Sequence, residues 1–294
     1  MKTLAFNQIM TDQVILGIVP NNHFRFSLAD LTNTAREIIH LHELNREMAV
    51  FLSKTMLGAL FLAEMTKNQQ RVSIQWKDET NKSALAYSDR YGRMKAVAYG
   101  DKLEEGDIRN EFILGQGIMK VIRWQYDSDF YQSYTNLVED TFEFNFLKYL
   151  TESEQVKSIV GMDVESTDRN PDHFRVKGVM LEALPEATEE DFKYVKSRID
   201  PVISKENFWT LSLEEMRSEL MIALESDLLI LSTELPAFIC DCSRFKVSEI
   251  ILSLGKVEAN SIIEEVGQVE ITCEFCKKAY QFNLEDVETL FENE

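Results

Sequence analysis

All four cysteines of the 294-residue chain fall in roughly its last fifth, as Cys240-Asp-Cys242 and Cys273-Glu-Phe-Cys276. A CxC and a CxxC each bring two sulfurs onto one tight turn. The loop between them can fold back so that four sulfurs surround a single ion at about 2.3 Å. Soft thiolates in a tetrahedral set select zinc, with iron–sulfur ligation as the alternative open to the same residues. Structural disulfides would suit an oxidising compartment, and nothing at the N-terminus resembles a secretory signal. A thioredoxin-like redox pair is a further reading of a lone CxxC. It calls for a strand and a helix N-terminus around the pair, whereas Cys276 is followed by the strand-like Ala279-Tyr280-Gln281-Phe282. The economical expectation is one Zn2+ site made of Cys240, Cys242, Cys273 and Cys276.

The elements that must position these sulfurs read as follows. Within residues 240–294 a helix is expected over Val247–Leu254, closed by Gly255, and a short one over Ser261–Val266. This stretch carries twelve acidic and five basic side chains, the wrong sign for a zinc module that reads DNA or RNA. Upstream, Pro185 marks a change of composition. Thr188 can cap a helix with Phe192, Val195 and Ile199 on one face and Pro201 as its stop. Ser212 and Glu215 form a capping-box pattern before Met216, Leu220 and Leu224. Residues 185–235 therefore read as a mostly helical linker between a larger N-terminal domain, 1–184, and the cysteine-bearing domain, 236–294.

In the N-terminal part, residues 3–28 read as short strands, with Val14–Val19 the clearest and Pro20-Asn21-Asn22 a turn. A helix is expected over Asp30–His42 and another over Leu44–Met65. The second is apolar nearly all round, with Met48, Leu52, Met56 and Leu60 on one stripe, as befits a helix buried against a sheet. His40 and His42 lie two residues apart and do not share a helix face, so surface or packing roles are their default. Alternation at Val72, Ile74 and Trp76, and at Met94, Ala96 and Ala98, predicts strands, as do Lys120–Tyr126, Phe130–Val138, Ile159–Val164 and Phe174–Leu181. A helix over Asp140–Leu150 interrupts them. Strands mixed with a few long helices, without regular βαβ alternation, give an α+β class.

Composition limits the function. With 31 Lys and Arg against 50 Asp and Glu, the formal charge is −19, a field that repels phosphate backbones and disfavours nucleic acid as a partner. No apolar run approaches the roughly 20 residues needed to span a bilayer. Together with the reduced-cysteine reading, this leads to the expectation of a cytoplasmic protein with no membrane partner. No GxGxxG, P-loop, GxSxG or HExxH motif is present, so no catalytic constellation emerges.

Thiolates are the oxidisable form of cysteine. A domain of fewer than sixty residues has a thin core, worth only about 3 to 8 kcal/mol on its own, against about 10 to 16 kcal/mol from structural zinc. Each cluster places two sulfurs close enough to consider joining as Cys240–Cys242 and Cys273–Cys276, which would destroy all four ligands. Loss of the metal would then couple an oxidant to local unfolding. The helical linker, with its apolar stripes, would loosen next, and exposed apolar surface binds unfolded clients.

The pattern Phe238-Ile-Cys240-Asp-Cys242-Ser243 followed by Cys273-Glu-Phe-Cys276 and Tyr280-Gln-Phe282 resembles the redox-regulated thirty-three-kilodalton chaperonin, or heat shock protein, family. Tyr149-Leu-Thr-Glu-Ser153-Glu154-Gln155 resembles that family's helix ending in Ser-Glu-Gln, and Arg25 and His42 fall where an early Arg and His are expected. The resemblance implies a non-enzymatic, ATP-independent holdase of the stress response. It further implies a zinc-bound inactive form, and an oxidised form with two disulfides, an unfolded linker and a tendency to form homodimers. Cys240, Cys242, Cys273 and Cys276 take the zinc and redox roles. One departure is visible: where the family carries a glycine-rich turn after the long buried helix, this chain reads Gln75-Trp-Lys-Asp-Glu-Thr-Asn-Lys82, so a different hairpin is expected. Two readings of other classes remain, a constitutive interaction module with a purely structural zinc and a thiol-disulfide oxidoreductase using Cys273 and Cys276.

Overall fold

The computed structural model describes residues 11–66, 71–79, 81–100, 116–125, 128–138, 141–166 and 173–292. The expected strand content of residues 3–10, and the ends of the expected elements at Tyr126 and Asp140, lie outside them. In chain order the elements begin with β1 (Gln13–Val19), β2 (Phe24–Asp30), α1 (Thr32–His42), α2 (Arg46–Glu64), β3 (Arg71–Asp78), β4 (Ser83–Asp89) and β5 (Arg93–Tyr99). They continue with β6 (Gly117–Gln125), β7 (Ser128–Leu137), α3 (Phe142–Glu152), β8 (Ser158–Ser166) and β9 (Phe174–Ala183). Then come α4 (Glu189–Ile203), α5 (Glu206–Thr210), α6 (Leu213–Leu224), β10 (Leu229–Glu234) and β11 (Ala237–Phe238). The C-terminal part adds α7 (Arg244–Leu254), α8 (Lys256–Val266), β12 (Val269–Thr272), β13 (Ala279–Phe282) and α9 (Leu284–Glu292). The class is α+β, in two compact units, 1–238 and 239–294.

In the first unit, β10-β1-β2-β9-β8 form a five-stranded sheet and β11-β5-β4-β3-β6-β7 a six-stranded one. Helix α2 lies between them, packing on β3, β4 and β5 on one side and on β8 and β9 on the other. Its burial nearly all round follows from this position: Leu52, Leu57, Leu60 and Phe61 are all inaccessible. Met48 and Met56 fill the same core. Gly178 on β9 permits the close approach, since a Cβ there would stand 2.8 Å from Phe61 and 3.0 Å from Leu57.

The five-stranded sheet is apolar on both faces. Val14, Ala29, Val176 and Met180 turn to α2, while Ile15, Phe24, Phe26, Leu28, Ile159, Val179 and Leu181 turn to the other side. That second face is covered by α4, α5 and α6 through Val195, Ile199, Phe208, Trp209, Met216, Leu220 and Leu224. Both capping boxes form, Thr188 with Asp191 and Ser212 with Glu215. The buried Lys177 ammonium donates to the Leu211 carbonyl at 2.5 Å, fixing the α5–α6 turn to β9.

Several sequence expectations are corrected here. Pro201 does not stop α4, which runs to Ile203. The missing N–H falls in the last turn, and Ser204 closes the helix by donating from both its N–H and its Oγ to the Asp200 carbonyl. Leu229–Glu234, read as part of the helical stretch, is a strand paired antiparallel with β1, and α8 starts at Lys256 rather than Ser261. The β3–β4 turn works without glycine: the Asp78 carboxylate accepts from the Lys82 N–H at 2.9 Å and Asn81 takes the left-handed conformation at φ 65°.

Candidate metal centre

The second unit has a small core of Val247, Ile251, Ala259, Ile263, Val269, Tyr280, Phe282 and Val287. Two turns project from it. The first carries Cys240 and Cys242 and is fixed from both sides. Ser243 accepts from the Lys246 N–H at 3.2 Å and starts α7 immediately after Cys242. The Lys246 ammonium in turn reaches the Asp241 carboxylate at 2.8 Å and the Asp241 carbonyl at 2.9 Å. The second turn is the tip of the β12–β13 hairpin, whose register from Val269↔Phe282 to Thr272↔Ala279 leads into Cys273. There the Cys273 N–H donates to the Lys278 carbonyl and the Lys277 N–H to the Cys273 carbonyl, both at 2.9 Å. Lys277 adopts φ 57° to close the tip.

These turns bring the four sulfurs within 4.8 Å of one another. Cys240 Sγ lies 3.6 Å from Cys273 Sγ, and Cys242 Sγ 3.3 Å from Cys276 Sγ. Sulfurs at the corners of a tetrahedron with metal–sulfur bonds of about 2.3 Å are about 3.8 Å apart, so the arrangement fits one ion. All four thiols are free, and the two close approaches far exceed the roughly 2.05 Å of a disulfide. Each close pair joins one cluster to the other, as shared ligation requires. Four soft sulfur donors suit zinc or an iron–sulfur centre, whereas oxygen-preferring cations would be poorly served.

Crowding makes the sulfurs unequal. Burial pushes the Cys240 and Cys276 thiols up. Burial also acts upward on Cys242, but hydrogen bonds, led by the Tyr280 hydroxyl 3.1 Å away, outweigh it and lower this thiol to about 7. The hydrogen bond to Cys242 in turn pushes Tyr280 up to about 12. Tyr280 is the site residue that the sequence reading left without a chemical role. Its signal was the alternation on β13 that turns Tyr280 and Phe282 inward.

The remaining sequence candidates lie elsewhere. Exposed His40 and half-buried His42 occupy the last turn of α1, in the first unit. Arg25 pairs with Glu182 at 2.5 Å. Glu154 pairs with Arg123 at 2.8 Å and accepts from the Tyr149 hydroxyl, holding the end of α3. Among the described residues, the four cysteines are the one cluster arranged to hold a metal, and no helix is long and apolar enough to cross a membrane.

An α+β unit joined to a small lobe with a four-cysteine cluster at its turns defines a two-unit protein with a candidate metal centre in the smaller unit. The family model described as Hsp33 protein matches residues 12–283, and the chain belongs to that family. The 33 kDa chaperonin of Streptococcus agalactiae serotype III is 30% identical over 288 residues, spanning 95% of this chain and 98% of the relative. That of Listeria innocua is 28% identical over 298 residues, spanning 96% and 99%. The crystal structure of the 33 kDa chaperonin (heat shock protein 33 homolog) of Thermotoga maritima shares the fold, with a TM-score of 0.85 at 20% identity over 97% of this chain and 99% of that one. Membership makes this chain a chaperone of the Hsp33 family and not an enzyme.

Proposed function

We propose that the chain is a redox-regulated, ATP-independent holdase, kept inactive while Cys240, Cys242, Cys273 and Cys276 hold zinc and activated when oxidation removes those ligands. The observation that carries the reading is the convergence of four sulfurs within 4.8 Å on a lobe with only a small core of its own. Bound there, zinc would keep all four sulfurs as thiolates and contribute about 10 to 16 kcal/mol of folding free energy. The lobe's own stability, scaled by its length, is about 3 to 8 kcal/mol. Oxidation by a peroxide or by hypochlorous acid would join Cys240 to Cys242 and Cys273 to Cys276. Each disulfide takes two electrons from a thiolate pair, and the oxidant is reduced to water, or to water and chloride.

The three regions then have separate roles. Residues 236–294 are the redox switch. Residues 185–235 are the linker, whose helices cover the second face of the five-stranded sheet. Residues 1–184 bind clients and form the homodimer contacts of the oxidised state. Loss of order in the linker would uncover Phe24, Phe26, Leu28, Val179 and Leu181, an aligned apolar strip suited to unfolded polypeptide. The location that goes with this chemistry is the reducing cytoplasm. The oxidoreductase reading is weakened by the hairpin setting of Cys273 and Cys276, which lacks the helix N-terminus that activates such pairs.

The test is zinc content and thiol count, before and after peroxide with mild unfolding, alongside aggregation of a denatured client. The expected result is about one zinc per chain lost together with four thiols, and a gain in antiaggregation activity. Zinc retained after oxidation, or lost without that gain, refutes the proposal.

A further inference from the structure

The inward face of β13 presents two aromatic side chains to the lobe's core, Tyr280 and Phe282, both buried. Burial alone would be served by phenylalanine at each position, and at 282 it is. The Phe282 ring lies under the Arg244 guanidinium, 4.1 Å from its centroid. At 280 the ring carries a hydroxyl, and that hydroxyl is 3.1 Å from Cys242 Sγ. Cys242 is also the cysteine that packs against the apolar core. The Lys278 ammonium stands 5.1 Å from the Tyr280 ring centroid, where a cation draws density from the ring and strengthens its O–H as a donor.

We infer that the Tyr280 hydroxyl is a positioning group for Cys242, donating a hydrogen bond to its thiolate and so setting how readily the site yields to an oxidant. The inference rests on reading the four cysteines as one metal-holding site. Attack on a peroxide uses a sulfur lone pair: the S–O bond forms, the O–O bond breaks, sulfur gives up two electrons and hydroxide departs. A neighbouring thiolate then displaces a second hydroxide to form the S–S bond. A donor held on Cys242 engages the density that the first step needs and fixes the direction in which the sulfur points. Outer-shell donors to a metal's ligands act in this way, tuning ligand basicity and orientation together.

The experiment uses the full chain and two substitutions, Tyr280→Phe, which removes the oxygen alone, and Phe282→Leu, which loosens the same core and leaves the Tyr280 hydroxyl in place. Zinc release under peroxide, followed with a chelating dye, is expected to be roughly two- to tenfold faster in Tyr280→Phe, the range of one net hydrogen bond. With cobalt in place of zinc, the thiolate-to-cobalt charge-transfer band is expected to move to lower energy in Tyr280→Phe and to keep its wild-type position in Phe282→Leu. Wild-type rate and band in Tyr280→Phe overturn the inference, and an equal band shift in Phe282→Leu assigns the effect to packing. A wild-type chain without that band refutes the four-thiolate reading itself. Should Tyr280→Phe not load metal, alkylation of the wild-type zinc protein decides: Cys242 is expected to label more slowly than Cys240, Cys273 and Cys276, and equal or faster labelling overturns the inference.

Discussion

If the linker helices hold the chaperone off by covering the sheet, loosening them should switch it on without any oxidant. Leu220 on α6 is inaccessible and sits in the cluster between the helices and the second sheet face. Leu220→Ala leaves a cavity there, at a cost of about 2 to 5 kcal/mol. Unpacking the cover removes the contacts that the cavity weakens, so most of this cost acts on the covered state. At about 1.4 kcal/mol per factor of ten, the uncovered fraction should rise roughly 30- to 4,000-fold. The assay is light scattering of a chemically denatured client with the chaperone reduced and zinc-loaded, alongside hydrogen exchange of the α4 and α6 amides. Wild type is expected to be inactive and Leu220→Ala active, with faster exchange confined to the linker. Leu60→Ala is the control. Leu60 is equally inaccessible, but lies in the cluster around α2, away from the cover. It should lower stability by a similar amount without activating the reduced protein. A Leu220→Ala variant whose linker exchanges quickly yet binds no client would refute the sheet face as the client surface. Activity in Leu60→Ala would reduce the effect to general unfolding.

Other outcomes follow from the same contacts. Gly161→Val should open the cover by overpacking, since even a Cβ there would stand 3.1 Å from both Ile203 and Trp209; reduced-state client binding should rise, at a stability cost of about 1 to 3 kcal/mol read from the denaturation midpoint. Chelating the metal from reduced protein should cost the second unit its helices α7–α9 while the first unit stays folded, and residue-resolved exchange that finds α7–α9 still protected would contradict this. Glu64 is held protonated, with burial first and Glu234 second raising it from 4.5 to about 8, and its Oε1 has no hydrogen-bond partner. A carboxyl raised in the folded state destabilises as pH climbs from its unfolded value through its folded one. Glu64→Gln should therefore stabilise the chain most above about pH 8, with the gain fading to nothing below about pH 4.5, as read from denaturation midpoints across that range.

The cysteine pairs were legible because ligand spacing is a local property, and the mixed class because α2 and most strands declare their period. What the helices cover was not. The stripe of Met216, Leu220 and Leu224 announces that α6 is buried on one side, but the partner face comes from β1, β2, β8 and β9, far away in sequence. The run Leu229-Ile230-Leu231 carries no alternation, because β10 is an edge strand with exposed side chains, and only its pairing with β1 makes it a strand. Pro201 does not end α4 because its ring costs a single i→i−4 bond, and the residues after it still close the turn, as the Ser204 N–H does on the Asp200 carbonyl. In the sequence Tyr280 shows only as part of a strand, because a hydroxyl's reach to Cys242 depends on the fold of both turns.

Separation of the two cores is what would allow one to yield while the other stands. The cluster around α2 draws on both sheets and holds its own face of the five-stranded sheet through Val14, Ala29, Val176 and Met180, none of which lies in the linker. The order β1-β2-β9-β8 is held by backbone pairing that residues 185–235 do not contribute, and only the edge strand β10 belongs to the linker. Removing α4 and α6 would therefore expose Phe24, Phe26 and Leu28 on a sheet that keeps its register, rather than on a collapsing chain. A formal charge of −19 favours solubility while that apolar strip is uncovered, and so capture of a client over precipitation of the chaperone itself.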